Sequence, residues 1–299
     1  MTYSIVARDA ETGELGVGVQ THRPSVGAIV PWVKAGVGAV ATQSFSNINF
    51  GPQVLALLES GLESEAALTA VIAADSMPTR RQLGVISASG QTAVHTGDAC
   101  IPFAGHRTGT NYNVQANMML TDRVPAAMAA AFEAADGPLA VRILRALEAA
   151  QGEGGDIRGM QSAAILVRGP GPLSSIWDLR IDNDTQPLQR LSQLVDIRRA
   201  EALAAPPEAG SSPDIDQLFL RYEEAMLLDP ADEQTFWFAV RSLSASSEVD
   251  RAASLLNPLF ARAPEWLELL HRLEMPEAAL LKQRFPRASQ VMETPPVGT

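Results

Sequence analysis

Thr2-Tyr3-Ser4-Ile5-Val6-Ala7-Arg8, then Asp9-Ala10-Glu11-Thr12-Gly13-Glu14, then Leu15-Gly16-Val17-Gly18-Val19-Gln20 reads as a strand, a polar turn and a second strand. β-Branched and aromatic residues fill the first run and a glycine-containing polar segment reverses it, so the pair is expected to form a hairpin. Outward from it, Ala35 to Gln43 reads as a third strand of Gly, Ala and Val, whose small side chains and missing polar alternation predict a sheet covered on both faces. Two helices follow: one has Pro52 in its first turn and stops at Gly61, and the next is capped by Ser64 with Leu68, Val71 and Ile72 on one face.

Strand character returns at Gln82–Ser87 and Thr92–Thr96, with further extended segments at Ile101–Ala104 and Asn111–Met118. Val124, Met128 and Phe132 mark a third helix, and Leu139, Ile143 and Leu147 a fourth that opens at Pro138. A glycine-rich loop over 152–159 leads into a strand at Ala163–Val167. This order is neither an alternating βαβ chain nor an all-β sandwich, and two facing sheets with helices outside accommodate it.

The whole chain has 299 residues, 46% of them hydrophobic, with 23 Lys+Arg against 34 Asp+Glu for a net charge of −11. That field repels nucleic-acid phosphates and anionic lipid, so neither partner is expected. A lone thiol, Cys100, fits a reducing compartment, and the N-terminus has no basic segment followed by an apolar one, so Met1 reads as the start of a cytoplasmic protein. No apolar run is long enough to span a bilayer.

At Ala204–Pro213 prolines and small residues resist both helix and strand, which divides the chain into residues 1–203, a linker over 204–213 and a helical region over 214–299. Within the last, Tyr222–Pro230 recurs in outline as Leu256–Pro264, with Pro230 and Pro264 34 positions apart, the tetratricopeptide period. The match is partial, because Leu256 and Leu259 replace the aromatic and the small residue of the first copy, and a plain helical bundle fits as well. Phe236, Trp237 and Trp266 read as exposed apolar residues, which predicts packing of the tail against the sandwich or against a second subunit in a homo-oligomer, with a protein partner of the helical tail as a further expectation.

Several motif readings fail. Gly36-Val37-Gly38 lies inside a strand, not at a phosphate-binding turn; His95, Cys100 and His106 match no zinc spacing; no nucleophile elbow occurs. Thr2 is the informative residue. Methionine is removed when the next residue is small, and the threonine so exposed carries nucleophile and base together, since an α-amine of pKa about 7.7–8.0 is partly unprotonated at neutral pH. Many cytosolic proteins begin Met-Thr with no catalytic meaning, but here Thr2 opens directly into a buried-looking strand.

The opening Thr2–Asp9, Thr12–Val17, Pro31-Trp32 with Ala35–Gln43, His95-Thr96-Gly97, Ala104-Gly105-His106 and Gly155–Ala163 together resemble the domain of unknown function 1028 family over residues 1 to about 185. The resemblance implies an N-terminal-nucleophile (Ntn) hydrolase-like fold, a four-layer α-β-β-α sandwich in the α+β class, and it supports Thr2 as the exposed residue. It also implies a lysine that lowers the amine's pKa, for which Lys34, 32 positions on, has the separation seen in proteasome-like proteins; Arg158 is the alternative source of positive charge. Many family members end in a peptidoglycan-binding segment, which the helical tail here replaces.

Asp156, Arg158, Gln161 and Ser162 sit in a glycine-bounded loop entering a strand, a way of presenting polar groups at a cleft, although mutual ion pairing in a turn explains them equally. Gln20, His22, Thr42, Gln43, Ser44, Asn113 and Asn117 are polar residues at the ends of otherwise apolar strands, some serving sheet edges and some a cleft. The resulting expectation is an amide-bond hydrolase of a small-molecule substrate, with Thr2 as nucleophile, Lys34 or Arg158 as the adjacent charge, Asn117 with backbone N–H groups at the oxyanion, and Gln20, His22, Gln43, Ser44, Asp156, Gln161 and Ser162 around the substrate. No metal or organic cofactor is required. The alternative is a non-catalytic binding or scaffold protein with an interaction tail.

Overall fold

The structure, a computed structural model, describes residues 2–171, 176–205, 214–231, 233–243 and 248–287. Strands β1 (Thr2–Arg8) and β2 (Leu15–Thr21) form the expected hairpin, with Thr2 opposite Thr21 and Arg8 opposite Leu15. The turn is fixed locally. The Asp9 carboxylate accepts the Glu11 and Thr12 amide N–H groups at 3.0 and 2.8 Å, and Gly13 takes the left-handed backbone (φ 73°) that favours glycine.

The expected third strand over 35–43 holds from Gly38 onward, as the second arm of a hairpin whose turn takes residues 35–37. β3 (Pro31–Lys34) turns at Gly36, whose φ of 67° reverses the chain, into β4 (Gly38–Ser44). Helices α1 (Phe50–Glu59) and α2 (Ser64–Ala73) follow; Ser64 does not cap α2, because its hydroxyl donates to the Gln91 carbonyl. Next come β5 (Arg81–Ser87), β6 (Thr92–Thr96), β7 (Gly105–Gly109) and β8 (Tyr112–Asn117). Residues 101–104, expected as extended, precede β7 without joining a strand. Helices α3 (Val124–Ala134) and α4 (Leu139–Gly152), strands β9 (Ser162–Arg168) and β10 (Ile176–Ile181) and helix α5 (Pro187–Leu203) complete this part.

The strands make two antiparallel sheets, β10-β9-β2-β1-β8-β7 and β3-β4-β5-β6. Strand alternation sorts their side chains into three layers. Tyr3, Ile5, Val114 and Ile165 pack beneath α3 and α4; Val40, Leu83 and Val85 pack beneath α1 and α2; Val6, Val17, Val19, Ala39, Ala41 and Ile86 meet between the sheets. Helices on both outer faces of two stacked antiparallel sheets therefore give a mixed α/β architecture, as the element order implied.

One end of the inter-sheet space is filled with uncharged polar groups instead of aliphatic ones. Ser4, Gln43, Gln82, Asn113, Gln115 and Asn117 are all buried at 1% exposure or less. The Asn113 amide of one sheet donates to the Val85 and Ala93 carbonyls of the other at 3.0 and 3.2 Å, and Gln82 returns a bond to the Ala116 carbonyl at 2.9 Å. Gly84 makes room for this layer: a Cβ there would lie 2.3 Å from Asn113 Oδ1 and 2.4 Å from Gln115 Oε1.

Contacts divide the chain into two compact units, 1–195 and 196–299, with the division inside α5. Leu188, Leu191 and Val195 belong to the core beneath α4, whereas Ala200 and Ala204 belong to the helical unit. That unit contains α6 (Ile215–Leu228), α7 (Glu233–Ser242), α8 (Val249–Arg262), α9 (Glu265–Arg272) and α10 (Ala279–Arg284). Phe236, expected on the surface, is fully buried and contacts Trp237 and Trp266, each half-buried, at ring-centroid distances of 5.1 Å. Most of the expected linker, 206–213, lies outside the described residues. Among the described residues no helix is long and apolar enough to cross a membrane.

Gly84→Ala is expected to cost about 1–3 kcal/mol by overpacking the polar layer, read as a lower melting temperature with an unchanged circular-dichroism spectrum. Limited proteolysis is expected to cut first within 204–213 and to leave a fragment 1–203 with a cooperative melt; aggregation of that fragment would place the tail in the same core.

Candidate active site

Thr2 begins β1, one of the two central strands of the six-stranded sheet, flanked by Thr21 on β2 and Asn117 on β8. It is 4% exposed and its hydroxyl donates to Thr21 Oγ1 at 3.1 Å. Its carbonyl is held by two side-chain amides from behind: Gln43 Nε2 at 3.2 Å and Asn117 Nδ2 at 3.4 Å. Both amides also donate to Gln82 Oε1, at 2.7 and 2.8 Å, and Ser4 ties Gln43 to Gln115 by donating to Gln43 Oε1 at 2.6 Å while accepting from Gln115 Nε2 at 2.7 Å. The backbone of the first strand residue is thus fixed across both sheets.

In front of Thr2 lies a cavity of about 120 Å³. Val26, Ile29 and Val30 form its apolar wall; Thr2, Thr21, Ser44 and Ser46 give hydroxyls; Arg23 and Arg158 give charge. Ser44 has φ 68°, a left-handed conformation rare for a residue with a Cβ, and such strained positions recur at functional sites. The turn after it is anchored by Arg81, whose guanidinium donates to the Phe45 carbonyl and forms a nearly fully buried pair with Asp75 at 2.7 Å. The Arg81 hydrogen bonds hold the Asp75 carboxyl below its usual range.

Behind Arg158, Asp156 is 2% exposed and binds the loop together. Its Oδ2 accepts the His22 amide N–H at 3.1 Å and an Arg158 terminal nitrogen at 2.8 Å, and its Oδ1 accepts the Arg158 amide and Nε at 3.0 and 3.1 Å. Burial first, and the Asp156 charge second, raise the Tyr3 phenol far above its usual value; its hydroxyl donates to Gln151 on the helix side of the sheet.

Of the residues expected at the site, Thr2, Ser44 and Arg158 come together at this cavity. Lys34 does not. It is half-exposed, paired with Glu59 at 2.6 Å, and sits opposite Gly38 at the far end of β4 from Ser44, roughly 20 Å off at about 3.3 Å per residue. The glycine turn at 36 carries it there. Gln20 is also displaced: it pairs with Tyr3, so alternation sends it to the helix-facing side, where neither amide atom has a hydrogen-bond partner among the described residues.

Asn117 was expected to hold an oxyanion, yet both of its N–H donors are directed to Thr2 O and Gln82, which makes it a support for the Thr2 backbone. Gln43 has the same position behind Thr2. Ser162 donates to the Arg23 carbonyl and accepts the Val26 amide at 3.2 Å, pinning the cavity wall from outside. His22 and Gln161 line a separate, open depression with Asn183 and Asp184, and Gln161 Nε2 donates to Asn183 at 3.0 Å.

Thr21, Arg23 and Ser46 at the cavity, and Gln82 behind Thr2, join the site beyond the residues to which the sequence points. The Gln82 amide also donates to Thr96 Oγ1 at 2.9 Å and the Gly105 carbonyl at 3.2 Å, and Thr96 Oγ1 lies 2.9 Å from His106 Nδ1, so the His95-Thr96-Gly97 and Ala104-Gly105-His106 stretches meet at the outer end of the same network. Burial, then His95, lowers the His106 pKa. Among the described residues no three His, Cys, Asp or Glu side chains are grouped to hold a metal.

Two facing antiparallel sheets between helices, with a polar strand-end threonine at a small cavity, define a mixed α/β protein whose candidate site is built on its first strand. The chain belongs to the family of unknown function DUF1028, whose model matches residues 2–191. Among solved structures it is similar to protein SPO2555 from Silicibacter pomeroyi, also described as DUF1028, with 34% identity and a TM-score of 0.62 over 67% of this chain and 86% of that one. It is also similar to Anbu (ancestral beta-subunit) from Yersinia bercovieri, with 13% identity and a TM-score of 0.34 over 70% of this chain and 100% of that one. No curated protein matches the chain.

Asp75→Asn is expected to remove on the order of 3 kcal/mol of stability by leaving Arg81 buried without its partner. Because the folded carboxyl lies below its unfolded value of 3.8, the pair contributes fully above that pH and its contribution fades as pH falls through the lowered folded value. The melting-temperature gap between wild type and D75N should therefore be full at pH 7 and shrink below about pH 4.

Proposed function

We propose that this protein is an amide-bond hydrolase of the Ntn type, with Thr2 as nucleophile. The observation that carries the reading is the placement of Thr2: a buried hydroxyl facing a small cavity, on a strand whose first carbonyl is clamped by Gln43 and Asn117. Preorganisation of that kind spends no energy at the moment of reaction.

Once Thr2 is the first residue, its amine takes the hydroxyl proton as Oγ1 bonds to the substrate carbonyl carbon. The proton passes to the leaving nitrogen as the C–N bond breaks, and water then hydrolyses the threonyl ester, releasing the acid and restoring the hydroxyl and amine. Arg158, and not Lys34, supplies the neighbouring positive charge, tempered by its pairing with Asp156. The reaction uses no cofactor.

A scaffold role is the competing reading, favoured by the small size of the cavity. For the tail we propose helical repeats that contact a protein partner or a second copy: α6 (Ile215–Leu228) and α8 (Val249–Arg262) keep the 34-residue spacing of the sequence, and Tyr222, Ala225, Leu256 and Leu259 all face the core of that unit.

A β-lactone, whose strained ring acylates an activated hydroxyl, tests the nucleophile without knowledge of the substrate. Intact mass should show a chain lighter by one methionine and a single adduct at Thr2. Thr2→Ser should still be labelled; Thr2→Ala and a form with an uncleaved N-terminal extension should lose labelling on the order of 10³-fold or more, since an amide nitrogen is not basic. Equal labelling of the extended form, or no labelling of a chain that begins at Thr2, overturns the proposal.

A further inference from the structure

The charge around the cavity is of one sign. Both charged residues that line it, Arg23 and Arg158, are arginines, in a chain with a net charge of −11. They are not equivalent. Arg158 is spent on the buried Asp156 carboxylate through two parallel nitrogen-to-oxygen bonds. Arg23 is exposed and forms no ion pair among the described residues. Its backbone nevertheless is fixed, because Ser162 accepts the Val26 amide and donates to the Arg23 carbonyl. An arginine with a pinned backbone and no anion, beside a cavity with no acidic residue in its wall, is a prepared half of an ion pair.

We propose that the cavity takes a small amide bearing a carboxylate, and that Arg23 is the residue that recognises it. The identity of the reaction rests on the Thr2 reading; the anion site does not. A guanidinium offers a planar fork that matches a carboxylate with two hydrogen bonds, and desolvating the anion is tolerable only where such a partner waits. Arg158 cannot serve alone, since Asp156 offsets its charge.

Size narrows the class further. The cavity, at about 120 Å³, is well under the roughly 300–1,000 Å³ of sites for drug-sized ligands, so Thr2 and Arg23 address one short molecule. The carboxylate must then sit one or two carbons from the scissile amide. An N-acyl derivative of a short amino acid satisfies both ends: Thr2 Oγ1 meets the acyl carbonyl, Arg23 holds the carboxylate of the amino acid that departs, and the hydroxyls of Thr21, Ser44 and Ser46 offer hydrogen bonds between them.

Titration calorimetry on the full chain separates charge from shape. N-Acetylglycine should bind at least tenfold more tightly than its uncharged amide, N-acetylglycinamide. Arg23→Ala and Arg23→Gln should erase that preference at an unchanged melting temperature, with Arg23→Lys recovering part of it. Thr2→Ala, which cannot turn either compound over, should keep the preference for N-acetylglycine over its amide whatever its affinity for each, so a preference that survives while β-lactone labelling fails would reject only the nucleophile. Equal affinity for the two compounds, binding of neither, or an Arg23→Ala variant that keeps the preference overturns the proposal.

Discussion

The donation of the Gln43 amide to both the Thr2 carbonyl and Gln82 Oε1 is the constraint on which the rest of the sandwich turns. Facing sheets usually meet through aliphatic side chains, and one end of this interface does. The other end is stitched by neutral amides and hydroxyls. Each such bond is worth only about 0.5–1.5 kcal/mol net, but a stranded partner costs about 1–3 kcal/mol, so the layer acts through what its loss would leave unpaired. Removing Gln43 would leave Ser4, Gln82 and Thr2 short of a partner at once. Sliding of one sheet over the other is penalised in the same way, which fixes where Thr2 sits relative to Ser44.

Rigidity behind Thr2 and charge in front of it have separate origins. The backbone is held by residues that carry no charge, whereas the cavity wall draws Arg158 from a loop clamped by Asp156 and Arg23 from a turn clamped by Ser162. Position and electrostatics can therefore vary independently. Members of a fold built this way can change the wall without disturbing the strand that presents the threonine.

The hairpin of β1 and β2 is legible because its turn residues and strand composition agree, and so is the placement of Thr2 at the start of a buried strand. The linear separation of Thr2 and Lys34 said nothing about the left-handed turn at Gly36, which sends the lysine to the wrong end of its sheet. Gln20 was misplaced by one step of strand alternation, and its neighbour Thr21 is the residue that faces the cavity. The amide layer does leave a signal in the sequence: Gln43, Gln82, Asn113, Gln115 and Asn117 occupy inward positions of strands buried on both faces, where aliphatic residues are the rule. Which amide meets which depends on sheet stacking, and no local pattern encodes that.

Strand order also sets a timetable at the ribosome. β1 emerges well before its partner β8, with Thr2 and Asn117 separated by 115 residues. At roughly 5–20 residues per second, about 6–23 s pass before β8 exists to close over the first strand. Any trimming that frees the Thr2 amine has that interval in which to work on an open chain. Once the sheet is complete, Thr2 is enclosed at 4% exposure.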